Sequence, residues 1–206
     1  MVTVLHFILG FITSFLGSIF PSMLSMTVVK ISIQESQKKA FNFALGVSSI
    51  VIFQAYIAVG FSKILLENPF YLQTIQQIGT IIFAGLSIFF FWQASKAKKQ
   101  QEFKNSSKSK GFLLGVLFST LNMFAIPFYF GVTSSLVMMN WYNFNPTNNL
   151  LFVLGSAVGT FLLLFLYAFL AKKIEYKAQM LAEKLDLFLG IITGLVFVIN
   201  LADILL

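Results

Sequence analysis

Two prolines, each among small polar residues, stand inside otherwise apolar stretches of this 206-residue chain. Pro21 is flanked by Ser18 and Ser22, and Pro127 follows Ser119 and Asn122. A proline inside a helix removes one backbone hydrogen bond and frees the carbonyl four residues earlier. Those carbonyls belong to Gly17 and Met123. Freed carbonyls, hydroxyls and a carboxamide can hold a small polar solute by hydrogen bonds, so these six residues form the candidate substrate site. The same residues also read as structural kinks satisfied by neighbouring helices. Two titratable side chains, Asp203 and His6, are the candidates for coupling such a site to protons. An acid at the centre of a membrane helix costs about 2.5–3.5 kcal/mol on insertion scales. Asp203 lies near the chain end and can instead reach an interface, and His6 also reads as interfacial. Gln54 and Asn200 read as hydrogen-bonding glue between helices or as ligands.

The elements that must position these residues are membrane helices. The chain is 58% apolar and 10% charged, with 26 Phe. A soluble domain carries about 25% charged residues. Lys, Asp and Glu are absent from residues 1–29, 40–62, 68–95, 111–171 and 187–202. A helix needs about 20 apolar residues to cross a bilayer core of ~30 Å. The 111–171 run holds two such lengths, divided by the polar turn from Asn140 to Asn149. Six transmembrane helices are therefore predicted near 4–28, 41–62, 74–94, 111–138, 150–171 and 187–205. The segments are continuously apolar and do not alternate, which selects helices over a barrel. The first has no basic start and is too long for a cleaved signal peptide.

All 14 basic residues are Lys. Thirteen fall in the loops after the first, third and fifth spans, and only Lys63 falls on the other side. The positive-inside rule makes the Lys-rich side cytoplasmic, with both termini outside. The basic run 96–110 is then a topology-fixing loop attracted weakly to anionic lipid, with no nucleic-acid partner implied. Trp92, Trp141 and Tyr142 stand at span ends, where interfacial aromatics belong.

The two halves resemble each other. At an offset of 109, Phe43-Ala44-Leu45-Gly46 falls on Phe152-Val153-Leu154-Gly155. In the first helix, Gly10-Phe11 falls on Gly111-Phe112 at an offset of 101. The expected organisation is one transmembrane domain, 1–206: repeat one at 1–95, a basic loop at 96–110 and repeat two at 111–206. Three spans per half is an odd number, so the halves enter the membrane in opposite senses, an inverted repeat of the kind transporters use. Gly10, Ser14, Ser18 and Ser22 lie four apart on one face of the first helix. That stripe reads as a close-packing seam or as the polar wall of a path. The pairs Gly155/Gly159 and Gly190/Gly194 read as packing contacts.

The stretch Ser14 to Pro21-Ser22-Met23, with the helix around Gly46, resembles the start of LysE/RhtB-type amino-acid exporters. Gly79 to Trp92 resembles their third helix. Gly111 to Leu121-Asn122-Met123 resembles their fourth, which carries an Asn-Pro pair. Ser22 stands where their first-helix motif has Gly, and Met123 where the second motif has Pro. The resemblance implies export of amino acids or related small metabolites across a bacterial cytoplasmic (inner) membrane, driven by an ion gradient. A homo-oligomer is compatible with it.

Other classes fare worse. A metal-ion exporter of the same architecture needs carboxylate, imidazole or thiolate ligands, and near the spans only His6 and Asp203 offer them. Cysteine is absent, which removes thiolate metal sites and dithiol redox chemistry. No catalytic set, phosphate loop or other cofactor motif is found. A non-transporting membrane scaffold remains the alternative from another class.

Overall fold

The computed structural model describes residues 2–19, 22–67, 77, 79–81, 83–85, 87–89, 91–92, 111–122 and 124–205. Pro21, the loop 96–110 and much of the third predicted span lie outside them. The described residues form helices α1 (Val2–Gly17), α2 (Met23–Gln34), α3 (Gln37–Glu67), α4 (Gly111–Thr120), α5 (Ala125–Met138), α6 (Pro146–Phe169) and α7 (Ala171–Leu205). Those between 77 and 92 are also helical.

The first and fourth predicted spans are both divided. The 4–28 stretch becomes α1 and α2, and the 111–138 stretch becomes α4 and α5, which meet at a bend of 65°. Among the described residues, α3 and α6 are long and apolar enough to cross a membrane by themselves, and α4 with α5 would make a third crossing. The second break does not arise as the sequence predicts. Pro127 sits in the first turn of α5, behind the N-cap Phe124. The N–H groups of a first turn have no intrahelical partner, so a proline there costs no bond. It starts a helix and does not kink one.

Glycines set the core by letting backbones touch. Ideal Cβ atoms at Gly10 and Gly155 would each lie 2.1 Å from a carbonyl oxygen, of Phe152 and Phe7 respectively. These contacts weld α1 to α6. Gly46 and Gly115 stand in the same relation to the carbonyls of Phe112 and Phe43, again at 2.1 Å, and weld α3 to α4. Only glycine permits such approach, which also brings Cα–H groups against carbonyls. Gly159 meets the Phe11 carbonyl in the same way, while Gly190 packs on the Phe91 ring and Gly194 on the Ser87 hydroxyl. The predicted packing pairs therefore do pack.

Outward faces are apolar. Along α3, Phe53, Tyr56, Ile57, Phe61 and Ile64 are exposed, and along α6 so are Leu150, Leu154, Val158 and Phe165. Contiguous apolar surface of this kind belongs against lipid. Trp92 and Trp141 are exposed, as expected at span ends, but Tyr142 is buried.

Candidate functional site

Between the helices lies a buried polar centre. Ser14 of α1, Tyr129 of α5 and Thr160 of α6 bring three hydroxyls together. Ser14 lies 2.8 Å from Tyr129 and 2.6 Å from Thr160. All three side chains are buried. Hydroxyls in apolar surroundings need partners, and here they supply one another. A second set joins α3 to α5, where the Ser62 and Thr133 hydroxyls lie 2.6 Å apart and Thr133 donates to the Tyr129 carbonyl.

The divided helices come together at this centre. Gly17, the last residue of α1, faces the Phe128 ring in the first turn of α5. Ser119, next to last in α4, is fully buried; its hydroxyl donates to the Val47 carbonyl and its own carbonyl receives a bond from Gln54 Nε2 at 2.8 Å. Ile19, just past α1, has its carbonyl bonded by the Tyr167 hydroxyl at 2.7 Å.

The sequence-predicted residues sort as follows around that geometry. Ser119 is buried between α4 and α3, on Val47 and Gln54. Ser18 is half-buried, and its N–H bonds the Ser14 carbonyl. Ser22 is exposed and caps α2, where its N–H donates to the Ser25 hydroxyl. Half-buried Asn122 lies in the second break, its N–H on the Ser119 carbonyl. Pro127 lines an apolar groove of about 510 Å³ with Phe83, Phe128, Gly131 and Met139. Pro21 lies outside the described residues, as does the Asp203 side chain, although Asp203 itself falls in the last turn of α7. His6 is 1% exposed and meets the Tyr142 ring edge-on, with centroids 5.1 Å apart. Tyr142 belongs to the turn between α5 and α6, and its ring also meets those of Phe144 and Phe152. In that turn, burial pushes the Tyr142 phenol up from its ordinary value, so it stays a donor, to Asn149 Oδ1.

A family model described as LysE type translocator matches residues 15–202. The chain belongs to that family. No curated protein and no solved structure matches it. The match begins one residue after Ser14 and runs through α2 to α6 and most of α7, so this LysE type translocator is a multi-pass membrane protein of a family that moves small molecules across membranes. The polar centre and the first break include residues that the sequence did not single out. Tyr129, Thr160 and Tyr167 were not singled out. The available signal was substitution against the grain: with 26 Phe and 6 Tyr in the chain, a Tyr inside a span marks a place where a hydroxyl is needed.

Proposed function

We propose that this translocator is a secondary exporter of amino acids or related small metabolites, working by alternating access. The reading takes the chain as six spans in an inverted three-plus-three repeat, 1–95 and 111–206. It sits in a bacterial cytoplasmic membrane with both termini outside. One observation carries it. The contact of Gly10 with Phe152 recurs as Gly115 with Phe43, and that of Gly155 with Phe7 recurs as Gly46 with Phe112, each at the same 2.1 Å. Phe152 and Gly155 follow Phe43 and Gly46 by 109 residues, the offset of the sequence repeat. Gly115 and Phe112 follow Gly10 and Phe7 by 105, one helical turn from the offset of 101 read in sequence. Each half's first helix thus packs on the other half's second helix by the same rule. Halves related in this way can exchange packings, and an exchange opens a central site to each side in turn.

The solute is held where the breaks converge, by Ser18, Pro21, Ser22, Ser119, Asn122 and Pro127. His6 and Asp203 are the coupling groups in this reading, if protons drive export. The test is export of an amino-acid panel from cells with and without the protein, with growth under amino-acid toxicity as readout. Pro21→Ala and Asn122→Leu should abolish efflux while leaving folded protein in the membrane. Normal efflux in both removes the site, and no efflux of any panel member by the unaltered protein removes the amino-acid assignment.

A further inference from the structure

The two helix breaks are closed by a crossed pair of side chains. Gln54 belongs to α3, in the first half of the chain, and donates to the Ser119 carbonyl in the second. Tyr167 belongs to α6, in the second half, and donates to the Ile19 carbonyl in the first. The carbonyls at a helix C-terminus have no intrahelical partner. In hydrocarbon they must be met by protein or by water in a cavity. The Ser119 carbonyl, in the last turn of α4, takes the Gln54 amide beside the Asn122 N–H, and the Ile19 carbonyl, two residues past α1, takes the Tyr167 hydroxyl, so each break meets a donor from α3 or α6 of the opposite half. Gln54 is 6% exposed, and its Oε1 is buried without a partner. The amide is thus turned by its bond to Ser119.

We propose that Gln54 and Tyr167 are the positioning residues of the two breaks. Each holds the end of one divided helix against the other half, and breaking one bond loosens one break without loosening the other. The inference rests on reading the breaks as the translocation path, but it concerns their mechanics and is tested without a solute.

The protein has no cysteine, so single reporters carry no background. Ser18→Cys reports on the first break and Asn122→Cys on the second. Each is labelled with a small methanethiosulfonate reagent in proteoliposomes, alone and combined with Tyr167→Phe or Gln54→Leu. Tyr167→Phe should speed labelling at Ser18→Cys about five-fold, the ratio carried by one hydrogen bond, and leave Asn122→Cys unchanged. Gln54→Leu should do the reverse. General loosening of the fold raises both reporters together, so an equal rise at both overturns the proposal, as does no change at either. Tyr167→Phe keeps the ring and its packing, so that arm decides the matter if Gln54→Leu does not fold. If the crossed pattern holds and no amino acid is exported, the exporter reading fails and the positioning roles stand.

Discussion

Ser14 and Tyr129, 115 residues apart in sequence, hold their hydroxyls 2.8 Å apart in the buried centre. One belongs to the first divided helix and the other to the second, so the bond ties the two divided helices to each other. Hydrogen bonds between membrane helices average about 0.6 kcal/mol, with a maximum near 1.7 kcal/mol. A double-mutant cycle of Ser14→Ala and Tyr129→Phe should give a coupling in that range, read from unfolding in mixed micelles. Zero coupling would mean that the two hydroxyls are held by other partners.

Glycine substitutions should divide sharply by position. At Gly46 a Cβ would lie 2.1 Å from the Phe112 carbonyl oxygen, whereas at Gly60 nothing lies within 4 Å. Gly60→Ala should stabilise α3 by about 0.5–1 kcal/mol through helix propensity. Gly46→Ala must push α4 away from α3 and should cost at least about 1–3 kcal/mol. The measurement is the detergent melting temperature of the two variants side by side.

Alkaline stability should depend on Tyr142. Its phenol is pushed up by burial, above the ordinary value of 10.0 that it regains on unfolding. The contribution is therefore complete below pH 10 and is lost as pH rises toward the folded value. Tyr142→Phe should lower stability by about 0.5–1.5 kcal/mol at neutral pH, since the bond to Asn149 goes. It should also flatten the decline above pH 10. Unfolding followed from pH 8 to 11 in both proteins checks the sign.

Orientation can be read with the same cysteine-free background. Thr147 is exposed in the first turn of α6, on the side predicted to be outside, and Ser107 lies in the Lys-rich run 96–110. An impermeant maleimide added to intact cells should label Thr147→Cys and reach Ser107→Cys only after lysis. The opposite pattern would reverse the orientation that the Lys residues predict.

The residues that were legible in the sequence are those whose effect is local or compositional. The apolar runs show where helices lie, because every backbone group in hydrocarbon must be bonded within its own segment. Gly155 and Gly159 announce close packing, since no other residue leaves room for a neighbouring backbone. Pro21 and Pro127 mark the neighbourhood of two breaks. The match between Phe43 to Gly46 and Phe152 to Gly155 gives one of the two offsets that the backbone contacts follow.

Most of what the sequence could not supply was decided by contacts between residues more than 60 positions apart. The first-helix offset needed the Gly115 contact with Phe43, because in an apolar alphabet a shift of one turn leaves the pattern almost unchanged. Pro127 begins α5 and does not bend it, which depends on where α4 stops. His6 is buried and meets Tyr142, 136 positions away. Gln54 and Tyr167 gain their roles from carbonyls on the opposite half, and nothing in their own segments points to those partners. Composition and periodicity thus determined that this is a helical membrane protein and where its chain is likeliest to divide. The tertiary structure alone decided which side chain meets each division, since a carbonyl at a helix end takes whichever donor the packing brings to it.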